Sequence, residues 1–425
     1  MEYPEPTLRA LLGQAIGDAF GAPFEYNKRG AELAVQSMAE GRYLDSLKDA
    51  GNRAKYARIP GLYTDDTQQA LALLRAVREV DDWLDAEAVG GAFIDIVAAM
   101  FDAWVPGSIA GVHRGTGKNF RTVARTRAAV DTAGLGAAMR IGPVATMLPD
   151  LPTVLAWSVG VSRATTSHPI ALSCTALFAA HCHALAHGEE DGLEERLLAW
   201  LDSDACTAVG LERAAWLEPL RAIAVFEALG EGELLRYAEE TGISNKSLDC
   251  AANGFALTGL PWVLRHGRAA SVPDALIGVC ASGGDADTVA AMVGCLAVLR
   301  HGIGDVPGWM SDQLIGLPSV IDPNGWDPIR SELPLTQREE SVRREAMLRA
   351  AARRPRRPAP FPAPFPPPND APLLPGEEDL LDDDDLDLLD EEDDDDPLAA
   401  LPTEEQEPPT EEKPPGEPGD QLTLF

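Results

Sequence analysis

The recurrence of apolar residues at intervals of three and four constrains this chain more than any other feature. Leu71, Leu74, Val77 and Val80 repeat along one segment, and Leu193, Leu197, Leu198 and Leu201 along another. That is the period of a buried helix face, not the two-residue alternation of a strand. Residues 7–330 are rich in Ala, Leu and Gly, with Gly and Pro falling between the periodic stretches as stops. Alternating β-branched runs bounded by turns are hard to find, and no long period repeats. We therefore expect an all-α, compact multi-helix domain, neither a parallel βαβ sheet nor a solenoid.

Beyond that domain the text changes. Residues 370–425 carry −22 of the chain's net charge of −33, and 17 of the 34 prolines lie beyond residue 354. Such a segment cannot bury enough apolar surface to fold with the rest. The expected organisation is a domain over 1–334 and a charged helical connector over 335–357 that ends in Arg353-Arg354-Pro355-Arg356-Arg357. A disordered Pro-rich and acidic tail follows over 358–420, then a terminal peptide, Gln421-Leu422-Thr423-Leu424-Phe425, that is apolar and aromatic-ended. The acidity excludes a densely basic nucleic-acid reader. Met1-Glu2-Tyr3-Pro4-Glu5 carries no basic n-region, and the best apolar run, residues 289–299, falls short of the ~18 residues a membrane span needs. Six cysteines without a CxxC pair fit reduced, buried thiols, so a cytoplasmic location with no membrane partner is expected.

Two short segments hold the chemistry. Thr64-Asp65-Asp66-Thr67 and Gly283-Gly284-Asp285-Ala286-Asp287-Thr288 each set acids beside threonine at the first turn of an apolar helix. Helix capping accounts for one acid at such a place. Here a pair recurs twice, the second after two glycines that permit close backbone approach. If the two helix starts meet, four carboxylates converge, which is tolerable only with bound cations or raised pKa values. Hard oxygen donors without His or Cys select Mg²⁺, Mn²⁺ or Ca²⁺ over zinc. A further acid, Glu25, follows the helix break at Pro23 in Gly17-Asp18-Ala19-Phe20-Gly21-Ala22-Pro23-Phe24-Glu25. Together Glu25, Asp65, Asp66, Asp285 and Asp287 suit a pair of divalent ions. His181, Cys182, His183 and His187 lack partners for a zinc site and read as a helix face.

GDAFGAPFE, TDDT and GGDADT, in this order and at these intervals, resemble the ADP-ribosylglycohydrolase family, over about residues 7–327. The resemblance implies an all-α protein with two Mg²⁺ or Mn²⁺ ions in a cleft, cleaving the glycosidic bond at the anomeric carbon of the distal ribose of ADP-ribose. By that resemblance Thr64, Asp65, Asp66, Asp285, Asp287 and Thr288 are metal ligands, and Glu25 is an acid near the metals, with Glu25 and Asp66 the candidates for proton transfer. Gly115, Gly117 and Lys118, in a Gly-rich stretch, suit a diphosphate cradle. Gly134, Gly136, Met139 and Arg140 resemble the family's GNGxxMR segment, which lies along the ligand; Leu135 stands where the family usually has Asn, so the contact of that amide is missing. Ser167-His168-Pro169 resembles a segment whose histidine sits near the bound ADP-ribose.

The implied activity is release of ADP-ribose from a modified protein side chain or nucleic acid. Complete TDDT and GGDADT pairs argue for retained hydrolysis; a catalytically silent ADP-ribose-binding adaptor is the alternative, and an unrelated metal-dependent phosphohydrolase a third. Gln421-Leu422-Thr423-Leu424-Phe425 resembles the bacterial sliding-clamp-binding peptide, which implies recruitment to a replication clamp by the tail.

Overall fold

Seventeen α-helices run through the described residues, which contain no β-strand and only three isolated bridges. The computed structural model describes residues 2–26, 30–44, 60–102, 118–243 and 248–326. The chain divides into two units, Met1–Arg354 and Pro355–Phe425. Every described residue belongs to the first; the connector, tail and terminal peptide lie outside the described residues.

In chain order the helices are α1 (Glu5–Gly21), α2 (Gly30–Glu40), α3 (Asp65–Glu79), α4 (Ala86–Asp102), α5 (Lys118–Thr126), α6 (Ala138–Ala145), α7 (Leu151–Ser162) and α8 (Pro169–His187). They continue as α9 (Leu193–Leu201), α10 (Asp204–Ala208), α11 (Arg213–Leu229), α12 (Glu231–Glu240), α13 (Ala256–His266), α14 (Val272–Val279), α15 (Ala286–His301), α16 (Gly308–Asp312) and α17 (Leu317–Ile321). Their ends follow local chemistry. Asp150 caps α7 by accepting from the Thr153 N–H at 2.8 Å, and α8 begins on Pro169 and stops at Gly188 in the left-handed region.

The most extensive helix pairing joins α1 to α15, and it is antiparallel: Gly13 faces Gly294, Gly17 faces Ala290 and Gly21 faces Ala286. A Cβ built on Gly17 would stand 1.9 Å from the Ala290 carbonyl oxygen, so the two backbones touch without side chains between them. Every residue from Ala286 to Leu299 of α15 is buried, which makes it the central rod. Helices α3, α6, α8, α13 and α14 pack around this pair.

One sequence expectation needs adjusting. Helix α8, not residues 289–299, is the helix long and apolar enough to cross a membrane, with a mean hydropathy of 1.4; 78% of that window is buried inside the domain. It is a core helix.

Candidate active site

The antiparallel pairing decides where the acids go. It sets the C-terminal end of α1 against the start of α15, so Glu25, four residues beyond Gly21, arrives beside Asp285 and Asp287. Single carboxylate oxygens of Glu25, Asp285 and Asp287 lie within 4.8 Å of one another. The sequence break at Pro23 appears as a 3₁₀ turn over Ala22–Phe24. Next to Glu25, Tyr26 sits at φ +52, a conformation L side chains rarely adopt, with its N–H donating to the Gly284 carbonyl at 2.6 Å. Gly284, at φ +63, lies where a Cβ would meet the Ala252 carbonyl oxygen at 2.2 Å. The Asp285 N–H donates to that same oxygen at 2.6 Å. The glycine pair thus lets the loop before α15 pass under residues 248–255.

Asp18 brings in the other pair. It is fully buried on α1, and its Oδ1 accepts the Thr64 N–H at 2.9 Å while its Oδ2 accepts the Thr67 N–H at 3.1 Å and the Thr67 hydroxyl at 2.6 Å. Those donors belong to the first turn of α3, so a carboxylate from another helix caps it. Gln14, one turn earlier on α1, donates to the Asp66 carbonyl at 3.0 Å. Thr64 and Asp285, the N-cap residues of α3 and α15, make no capping hydrogen bond with their own side chains. Capping therefore does not explain why acids are paired at these two helix starts.

The two pairs feel each other. Burial pushes the Asp66 carboxyl well above the usual range, and the charges of Asp18, Asp65 and Asp285 push it further, against a hydrogen bond from the Thr64 hydroxyl at 3.0 Å. Burial raises Asp18 too, opposed by its bonds to Thr67 and Thr64. Asp66 is 2% exposed, and its Oδ1 has no hydrogen-bond partner. An orphaned buried carboxylate oxygen beside a 4.8 Å cluster of acids, all hard oxygen donors, fits divalent cations of the Mg²⁺ or Mn²⁺ class. Thr288 is buried at the same helix start, its N–H donating to Asp287 Oδ1 at 3.1 Å.

The ligand-segment residues come to the same place by a different route. The Leu135 N–H donates to the Gly254 carbonyl at 2.9 Å, and the Ala256 N–H to Ala133 at 2.8 Å. Gly254 in turn abuts Asp285: a Cβ there would stand 2.7 Å from Asp285 Oδ2. Gly134 is half-buried and Gly136 exposed, while Met139 lies in the core. Leu135, in place of the family's Asn, is buried with its side chain against Gly259 of α13. Arg140 is buried with its guanidinium 4.8 Å from the Phe93 ring centre and 5.4 Å from that of Phe120. It donates to Gly136, to Thr165 and, at 3.0 Å, to Gln69 Oε1. Gln69 passes the contact on, its Nε2 donating to Asp65 Oδ2 at 2.8 Å. His168 is the N-cap of α8, with Nδ1 accepting the Ile170 N–H at 3.2 Å, and burial lowers its pKa.

Gly115 and Gly117 lie outside the described residues, and Lys118 opens α5. His183 and His187 stack with ring centres 4.3 Å apart, and His187 Nε2 sits 3.1 Å from the Thr146 carbonyl oxygen. Among the described residues these histidines join no metal-compatible group; Glu25, Asp285 and Asp287 form one. Sequence reasoning missed Asp18 as the residue that docks α3, and Gln69 as the link from Arg140 to Asp65. The signal for Asp18 was an acid set among the Ala, Gly, Ile and Phe of the second half of α1.

The match to a family model settles the class: residues 3–333 match the ADP-ribosylglycohydrolase family, and the chain belongs to it. It is 27% identical over 316 residues to the ADP-ribosyl-[dinitrogen reductase] glycohydrolase of Rhodospirillum rubrum, covering 72% of this chain and 88% of that one. It is 26% identical over 320 residues to an uncharacterized Escherichia coli (strain K12) protein, YegU, covering 73% and 92%. A solved structure described as an ADP-ribosylglycohydrolase-related protein complex is similar at 21% identity and a TM-score of 0.46, over 75% of this chain and 95% of that one. The protein is an ADP-ribosylglycohydrolase-type hydrolase.

Proposed function

We propose that this hydrolase releases ADP-ribose from a modified protein side chain or nucleic acid, using two divalent cations, Mg²⁺ or Mn²⁺. The observation that carries the reading is the meeting of two distant acid pairs: Asp285 acts on the buried Asp66, whose Oδ1 has no hydrogen-bond partner, while Glu25 joins Asp285 and Asp287. Thr64, Asp65, Asp66, Asp285, Asp287 and Thr288 are the proposed ligands. When bound, such ions supply Lewis-acid charge to an attacking water and to the sugar oxygens.

The chain does the rest. Asp18 fixes the start of α3, and with it Asp65 and Asp66, against α1. Gly283 and Gly284 carry Asp285 beneath residues 248–255. Glu25 and Asp66 are the proposed proton carriers, one accepting the proton that the attacking water gives up, the other assisting the leaving group; such transfer is worth roughly 10²- to 10⁴-fold. Burial and the charges of Asp18, Asp65 and Asp285 raise the Asp66 carboxyl, which favours its protonated form. Gly134, Gly136 and Arg140 border the ribose and phosphates, with His168 beside them and Gly115, Gly117 and Lys118 as the proposed diphosphate cradle.

The terminal Gln421-Leu422-Thr423-Leu424-Phe425 is proposed as a peptide for a bacterial sliding clamp, in a cytoplasmic protein. Its support is the match in sequence. A clamp pull-down that is unchanged by deleting these five residues would remove it.

The deciding experiment incubates the full chain with ADP-ribosylated arginine, serine and DNA substrates, with Mg²⁺ or Mn²⁺ and with chelator. Ion-dependent release of ADP-ribose is expected, and lost in Asp65→Ala and Asp287→Ala. Binding of ADP-ribose without release from any substrate would replace the reading with that of an adaptor.

A further inference from the structure

Asp285 is carried by two adjacent glycines, Gly283 at φ +73 and Gly284 at φ +63. Glycine frees the loop to take that path and, for the same reason, does little to hold it there, because it has the most backbone freedom to lose. A carboxylate that meets Glu25 and Asp287 within 4.8 Å therefore owes its place to bonds made by other residues. The backbone supplies two: the Tyr26 N–H donates to the Gly284 carbonyl and the Asp285 N–H to the Ala252 carbonyl, both at 2.6 Å.

Glu231, half-buried in the first turn of α12, adds two more. Its Oε1 accepts the Ser282 hydroxyl at 2.9 Å and the Ala251 N–H at 2.9 Å. Ser282 immediately precedes the glycine pair, and Ala251 immediately precedes the residue whose carbonyl takes the Asp285 N–H. One carboxylate oxygen thus gathers both segments where they cross. Further along the first of them, Gly254 lies so close that a Cβ there would stand 2.7 Å from Asp285 Oδ2. Two routes from Glu231 therefore converge on Asp285, one through Ser282 and the glycines, the other through Ala251 and Ala252. An acid that merely favoured the start of α12 would need neither partner, and these lie 51 and 20 residues along the chain. Hydrogen bonds to an ionised carboxylate are among the strong ones.

We infer that Glu231 is a positioning residue for this hydrolase, clasping Ser282 to Ala251 so that Asp285 is presented to the ions in one place. The inference rests on the ion-dependent reading above and deepens it. Glu231 acts through Asp285: among the described residues the metal-compatible group is Glu25, Asp285 and Asp287, without Glu231.

The test uses the full chain, with three readouts besides release of ADP-ribose: the calorimetric Kd for Mn²⁺, the electron paramagnetic resonance spectrum of the Mn²⁺-saturated protein, and Tm in chelator. Glu231→Ala should weaken Mn²⁺ binding roughly 10- to 100-fold, the usual loss when a group that orients a metal ligand is removed. Its spectrum should broaden, as Asp285 no longer keeps one position. Glu231→Gln retains an oxygen that can accept both bonds and should restore the wild-type Kd and spectrum. Ser282→Ala removes one bond of the two and should weaken Mn²⁺ binding by less than Glu231→Ala; it carries the test alone if Glu231→Ala does not fold. Glu239→Ala is the structural control. It lies on the same helix, and its Oε1 accepts the Leu248 N–H at 3.4 Å, so its loss should lower Tm and leave the Mn²⁺ Kd unchanged. A wild-type Kd and spectrum in Glu231→Ala, no rescue by Glu231→Gln, a wild-type Kd in Ser282→Ala, or an equal loss of Mn²⁺ affinity in Glu239→Ala would each overturn the inference alone. Wild type that binds no Mn²⁺ would overturn the ion-dependent reading, and this inference with it.

Discussion

Replacing Gly17 by alanine adds one methyl group at the closest approach in the fold. An ideal Cβ there stands 1.9 Å from the Ala290 carbonyl oxygen and 2.7 Å from its carbon. Carbon–oxygen contacts settle at about 3.3 Å or more, so α1 and α15 must part by more than about 1 Å. The obstacle is backbone within a buried helix, not a side chain that can turn aside. Overpacking typically costs about 1–3 kcal/mol, occasionally more, and this geometry belongs at the upper end. At about 2–4 °C per kcal/mol for a domain of this order, Gly17→Ala should lower Tm by roughly 6–12 °C. The same displacement carries Glu25, together with Asp65 and Asp66 on α3, which Asp18 ties to α1, away from Asp285 and Asp287 on α15. A misplacement of about 1 Å can cost roughly 10²-fold in rate, so ADP-ribose release should fall by that order. Gly91→Ala is the control. Gly91 lies within α4 with nothing within 4 Å of an added Cβ, so the same change should stabilise by about 0.5–1 kcal/mol through helix propensity. Scanning calorimetry and initial rates read both variants. Equal Tm and activity in Gly17→Ala and wild type, or an equal loss in Gly91→Ala, would refute the claim that backbone contact between α1 and α15 builds the site.

Other outcomes follow from the same contacts. Asp18→Ala leaves the Thr64 N–H, the Thr67 N–H and the Thr67 hydroxyl without their acceptor, so urea unfolding should show a loss of at least about 3 kcal/mol and Mn²⁺ titration a weaker site; an unchanged Mn²⁺ affinity would separate Asp18 from site assembly. Asp66→Asn removes a carboxyl that burial and three acids push toward protonation; its Tm in chelator should match or exceed wild type, while the rise in Tm that Mn²⁺ gives wild type through mass action is lost. A wild-type shift in Asp66→Asn would take Asp66 out of the ion site. His266, away from these acids, has its pKa lowered from 6.5 to about 4 by burial, with Arg265 adding to it. A depressed histidine stabilises the fold fully above pH 6.5 and loses that contribution as pH falls toward 4. The stability of wild type relative to His266→Leu should therefore fall by up to about 2 kcal/mol between pH 6.5 and 5, measured by urea unfolding; a difference independent of pH would contradict a neutral, buried His266.

Helices are local, and the sequence read them well. Apolar spacing announced α3 after Thr64-Asp65-Asp66-Thr67 and α15 after the glycine pair, and the structure places them at Asp65–Glu79 and Ala286–His301. Pro23 announced the break that leaves Glu25 outside α1. What the spacing left open was the use of the acids, because capping and metal binding ask for the same residues at a helix start. The bonds from Asp18 and the absence of side-chain caps at Thr64 and Asp285 show that neither N-cap side chain caps its own helix; metal binding is the use proposed for the acids. His168 shows that one residue can carry both readings: Nδ1 caps α8, and its place beside the ligand is a proposal.

By its sequence alone the chain determined an all-α class, the residues at each helix start and the chemical type of its donors, since periodicity, capping and oxygen hardness need only neighbouring residues. Only the tertiary structure decided that α1 and α15 run antiparallel in backbone contact, that Asp18 carries α3 to them, and that Gln69 links Arg140 to Asp65. Those outcomes depend on which surfaces exclude water together, and that is a property of residues far apart along the chain.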